Sequence, residues 1–114
     1  YATFNLLKNK LIAQAEKYEI LPGIYANGKI EIGEIIADLS GSEIALKAYL
    51  KITDSKKILR KEALQNFFIQ IAKTWRAKYR KQAIVMQNDS DPHPIGEYRT
   101  NGTIKNMDTF YEAF

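Results

Sequence analysis

The chain has 114 residues, 46% of them hydrophobic and 26% charged, with a formal net charge of +4. That length holds one moderate core and excludes a protein of several lobes, and the composition excludes a disordered tail. There is no cysteine, which excludes a disulfide framework and a thiolate metal site and leaves the redox compartment unread.

No internal repeat or low-complexity tract interrupts the chain. The apolar runs are too short to span a bilayer, and "YATFNLLKNK" lacks the long apolar core of a signal peptide. Phe4, Leu7, Leu11, Ala15 and Tyr18 recur at three- and four-residue spacing, which predicts an amphipathic helix over Thr3–Tyr18 with Thr3 as its cap. "ILPGIYANG" then breaks helix at Pro22, Gly23 and Gly28, and Asn27-Gly28 predicts a tight turn into the short alternating piece "KIEI". A second helix is expected from Gly33 to Ile52, bent near Ser40-Gly41. Its apolar residues are too many for one stripe, so it should be central and buried on more than one side.

"TDSKK" is a connection offering Thr53, Asp54 or Ser55 as the next cap, and a third helix should follow to about Arg80 on the stripe Leu64, Phe67, Phe68, Ile71, Trp75 and Tyr79. From Gln87 the texture becomes loop-like, and "NDSDPHPIGEYRTNG" suggests a small hairpin turning at Asn101-Gly102. A short helix from Asn106 or Asp108 through "TFYEAF" ends the chain. The expectation is an all-α fold with one ordered Pro/Gly loop.

Positive residues crowd into Lys47–Lys81, most densely in "KTWRAKYRK" at Lys73–Lys81. Cations interleaved with aromatics can contact phosphates and stack on bases. Helical spacing, however, places Trp75 and Tyr79 in a buried stripe and the cations on its solvated back, which favours a charged helix face over nucleic-acid binding.

Two carboxylates, Glu34 and Asp38, stand four residues apart in an apolar run and so share one helix face. Like charges so placed repel, more so as they are buried, and something positive should compensate. Glu34 in a first helical turn and Asp38 paired with a lysine would satisfy that structurally. The surrounding residues point further. "NGKIEIGEIIADLSG" resembles the neprilysin family of zinc metallopeptidases, in the segment NG-x-x-x-x-GE-x-x-AD-x-x-G, with Asn27, Gly28, Gly33, Glu34, Ala37, Asp38 and Gly41 in place. "LQNFFIQIAKTWRAKYR" is similar to the family's FF-x-x-x-A-x-x-W-R helix, and "DPHPIGEYRTNG" to its D-x-H-x-x-G-x-[FY]-R-x-x-G segment, followed by "FYEAF". Three blocks in the right order cover nearly the whole chain.

The resemblance implies the C-terminal helical part of a thermolysin-like catalytic lobe. It implies that Glu34 is a zinc ligand and that Asp38 orients a zinc-bound histidine. His93 would steady the oxyanion that develops on the scissile carbonyl, and Arg99 would hold a substrate backbone carbonyl. The partners implied are peptide substrates and the upstream part of the same domain, carrying H-E-x-x-H; neither nucleic acid nor a membrane segment in this chain is expected. An extracytoplasmic setting is likewise implied.

The chain itself has one histidine and no H-E-x-x-H, so alone it cannot build a His₂Glu site. A single segment, 1–114, of a larger domain is therefore expected, inactive in isolation. It departs from the family in having Pro94-Ile95-Gly96 where Ser-Pro-Gly is usual, which changes the dihedrals fixed after His93, and in the shorter "TDSKK" connection. On its residues alone, His93 reads as a solvated loop residue and Arg99 as a partner for Glu97 or Asp91. The alternative function is a non-enzymatic basic helical module that binds nucleic acid or a protein.

Overall fold

A computed structural model describes residues 1–114. Helix dominates, as expected. The elements run α1 (Ala2–Ala15), β1 (Glu19–Leu21), β2 (Ile24–Tyr25), α2 (Gly28–Ser55), α3 (Arg60–Trp75), α4 (Lys81–Ser90), α5 (Gly96–Ile104) and α6 (Asp108–Ala113). The two strands pair antiparallel, Glu19 opposite Tyr25 and Leu21 opposite Ile24. Gly23 makes their tight turn possible, since its φ of +77° is costly for any residue with a Cβ.

Several boundaries differ from those read off the sequence. α1 stops at Ala15, and Tyr1, not Thr3, stands at its cap position. Asn27-Gly28 opens a helix where a turn was expected: the Asn27 carbonyl accepts the amides of Ile30 and Glu31, so "KIEI" is the first turn of α2 and not a strand. Alternation over four residues is too short to separate the two periods, and here Gly28, Glu31 and Ile35 line up on one buried face. α2 continues unbroken through Ser40-Gly41 for 28 residues. A glycine there costs about 1 kcal/mol relative to alanine, which the packing of Ile35 and Leu46 on either side offsets. α3 ends at Trp75, five residues before the expected end, and Tyr79 is exposed.

Asn88, read as loop, is buried in α4. Its Oδ1 accepts the Asn27 amide at 3.1 Å and its Nδ2 donates to the Tyr25 carbonyl at 3.0 Å, so α4 is tied to the start of α2. Asn101-Gly102 lies inside α5 and forms no hairpin. The expected Pro/Gly loop is thus confined to Asp91–Ile95.

Two apolar clusters make the core. One gathers Ala15, Ile20, Ala26, Ile35, Ile95 and Tyr98; the other gathers Leu46, Leu64, Phe68, Ile104, Met107 and Ala113. α2 and α5 contribute to both, which makes α2 central as expected. Its second face is not covered, however: Ile30, Ile44 and Ile52 are exposed.

One core group is out of character. Glu31 is 2% exposed, and neither its Oε2 nor the Tyr98 hydroxyl has a hydrogen-bond partner. Burial pushes the Glu31 carboxyl up from 4.5 to about 7, and burial followed by the nearby Glu31 charge pushes Tyr98 up to about 12. A carboxyl raised in the folded state stabilises fully below its unfolded value and loses that stability as pH rises through the folded one. Folding should therefore weaken by on the order of 3 kcal/mol between about pH 4 and pH 8 through this group. Thermal unfolding of the chain and Glu31→Gln across that range checks this: the variant should be the more stable at pH 8, with the gap closing near pH 4.

Candidate functional site

Arg99, on α5, is the hub. Its Nε donates to Asp38 Oδ2 at 2.7 Å, and its Nη2 donates to Asp38 Oδ1 at 2.6 Å and to Glu34 Oε2 at 3.3 Å. The guanidinium lies 3.9 Å from the centre of the Trp75 ring, at the end of α3. Arg99 and Asp38 are largely buried, their side chains 13% and 15% exposed. The hydrogen bond to Asp38, ahead of the charges of Asp38 and Glu34, raises the Arg99 pKa further above its ordinary value. The positive charge required by the Glu34–Asp38 pair is therefore Arg99, and no lysine takes that place.

His93 sits in the 91–95 loop. Its backbone amide and its Nδ1 both meet Asp91 Oδ1, at 2.9 and 2.7 Å, and these bonds, the backbone one first, hold the Asp91 carboxyl below its ordinary value. Nε2 then faces α2, 3.8 Å from Glu34 Oε2. Gln87 donates to the carbonyls of His93 and Pro94, while Pro94 and Ile95 are buried. The displaced proline is thereby accommodated in the core beneath a loop that side chains hold in shape. Arg99 pairs with neither Glu97 nor Asp91: Glu97 accepts the Tyr18 hydroxyl and Asp91 belongs to His93.

All four residues singled out in the sequence, Glu34, Asp38, His93 and Arg99, meet at one place. Asp91, Trp75 and Gln87 join them without having been singled out. The first two lay inside motifs already quoted, where the two-residue Asp91–His93 spacing was the available signal; nothing marked Gln87. No group of three or more His, Asp or Glu side chains here could hold a metal on its own. Glu34 is one-third exposed, and its Oε1 accepts no hydrogen bond. One anionic oxygen is therefore open to a cation whose other ligands come from elsewhere, which fits a zinc ligand and does not complete a site.

The helical scaffold thus presents an acidic pair, an aspartate-held imidazole and a stacked guanidinium at one place. The chain belongs to peptidase family M13, which it matches over residues 1–114. It is 32% identical to Neprilysin-3 of Drosophila melanogaster over 94% of this chain and 14% of that protein. It is 34% identical to human Neprilysin over 85% of this chain and 14% of that protein. Neutral endopeptidase of Lactococcus lactis is 35% identical over 100% of this chain and 17% of that protein. The chain therefore spans about one-sixth or less of the length of these relatives. No solved structure matches it.

Gly96 begins α5 against the end of α3, where a Cβ would overlap the Trp75 carbonyl oxygen. Gly96→Ala must push α5 and Arg99 away from Trp75, and overpacking of this kind costs about 1–3 kcal/mol. Thermal unfolding should show that loss, together with altered Trp75 fluorescence.

Proposed function

We propose that the complete protein is a zinc metalloendopeptidase and that this chain supplies the carboxylate ligand and the groups that meet the substrate. The observation that carries this reading is the convergence of Glu34, Asp38, His93 and Arg99, with Arg99 lying 61 and 65 residues from its two carboxylate partners, at one partly exposed place. Family membership supports it independently.

Each residue has a part the geometry allows. Glu34 offers Oε1 to the metal. Bound zinc supplies an activated water and polarises the substrate carbonyl. Asp38, with one lone pair of each oxygen engaged by Arg99, retains the others for an imidazole N–H, as orientation of a metal-bound histidine requires. Asp91 fixes the His93 ring, leaving Nε2 toward Glu34, beside which an oxyanion would develop during acyl transfer. Arg99 uses Nε and Nη2 on the carboxylates and leaves Nη1 without a partner, a donor available to a substrate carbonyl. An extracytoplasmic setting rests on the family resemblance; no helix here is long and apolar enough to cross a membrane.

The reading is tested by zinc content and steady-state kinetics on the complete protein. Glu34→Gln should lose zinc and activity together, and Asp38→Asn should lower both, on the order of 10- to 100-fold. His93→Ala should keep zinc and lower kcat on the order of 100-fold, as loss of an oxyanion donor does. Arg99→Ala should lower thermal stability, because Asp38 loses its counter-charge, and in the protein that remains folded should keep zinc and chiefly raise KM. Full zinc and full turnover in Glu34→Gln would refute the ligand assignment. Purified 1–114, which lacks the other ligands, should show no chelator-sensitive peptide hydrolysis.

A further inference from the structure

The basic run Lys73–Lys81 is not the solvated back of a helix. α3 ends at Trp75, so Arg76 to Arg80 form an extended connection to α4, with Arg76 in a β-like conformation. Lys73, Arg76, Lys78, Arg80 and Lys81 are all exposed, none of them makes an ion pair, and no carboxylate interrupts the run. Five uncompensated cations in nine residues are too many for the stability of an exposed connection to require, because like charges this close repel.

The place of the run gives it a use. Trp75, its third residue, carries the Arg99 guanidinium on its ring. Arg76 and Ala77 line a groove of about 370 Å³ with Trp75, Gly96, Thr100 and Asn101, so the run adjoins the Arg99 site through the Trp75 ring that both share. Glu97, the one carboxylate in the groove, is engaged by Tyr18.

We propose that the Arg76–Arg80 connection, with Lys73 and Lys81 at its ends, is a substrate-selecting wall that favours peptides carrying carboxylates beside the bond to be cut. This rests on the peptidase reading of the Glu34–His93–Arg99 site. Arg76 contacts a substrate carboxylate in the groove. The other cations act over roughly one Debye length, about 8 Å at physiological salt, by drawing acidic peptides to the cleft.

The experiment compares kcat/KM of the complete enzyme on peptides of one length that differ only in acidic, neutral or basic residues flanking the scissile bond. At low salt the acidic peptide should be preferred on the order of 10-fold over the neutral one, and the preference should shrink as salt rises. The combined variant Arg76→Gln, Lys78→Gln, Arg80→Gln, Lys81→Gln should abolish the preference. Removing the same charge elsewhere, in Lys47→Gln, Lys51→Gln, Lys56→Gln, Lys57→Gln, should keep it. The neutral peptide is the internal reference for a folded variant. Hydrolysis without an acidic preference, or a preference that survives the first variant, overturns the inference and leaves the peptidase reading standing. No hydrolysis of any peptide by the zinc-loaded wild type overturns that reading itself. If the first variant loses retention on duplex DNA while peptide discrimination is unchanged, the wall serves nucleic acid and the inference is equally overturned.

Discussion

One guanidinium holds this structure's chemistry together. Arg99 satisfies two carboxylates that would otherwise repel each other on the same face of α2, and it does so while stacked on a tryptophan from α3. Three helices, α2, α3 and α5, are locked by a single planar group. Its fork geometry suits a carboxylate bidentately, and its flat face suits an indole, a combination a lysine ammonium cannot supply. With both members of the Arg99–Asp38 pair largely buried, removing either leaves an uncompensated charge, at a cost on the order of 3–5 kcal/mol.

The rest of the fold keeps that pair in register. Ile35 and Leu46 anchor α2 in the two apolar clusters on either side of Asp38, while Tyr98 and Ile104 anchor α5 in the same two clusters on either side of Arg99. Asn88 fixes α4 to the start of α2, and α4 ends in the loop that carries His93. Gly96 lets α5 begin against the Trp75 backbone, and that closeness lets the Arg99 head reach the ring. Packing and site geometry therefore share elements, and the site is as rigid as the contacts of α2 with α5.

Glu31 shows a different compromise. A carboxyl buried beside a tyrosine hydroxyl, with neither group paired, is retained one helical turn before Glu34 at some expense of stability at neutral pH. The exposed Ile30, Ile44 and Ile52 on α2 and the apolar groove of about 530 Å³ lined by Phe4, Leu7, Leu11, Ile36 and Leu39 are further departures from an optimal isolated domain. Apolar surface of this extent favours association, with a further part of the same protein or with another copy.

The amino-acid sequence by itself determined that the chain is helical, that Leu64 and Phe68 belong to the buried stripe of α3, and which four side chains to look for together. Three- and four-residue spacing is a local property, and the motifs around Glu34, His93 and Arg99 are contiguous in the chain. It did not determine where the helices end. "KIEI" and Asn27-Gly28 suit a strand and a turn as well as a first helical turn, and it is the burial of Glu31 and Ile35 together that selects helix. Asn88 is a polar residue among turn formers until Tyr25 and Asn27 are brought beside it. The partner of the carboxylate pair was equally beyond local reading, because Arg99 is 61 residues from Asp38 and only the packing of α5 on α2 places its guanidinium there. A charge in need of a counter-charge can be read from spacing along one helix; which residue answers it depends on distances that exist only after the chain has folded.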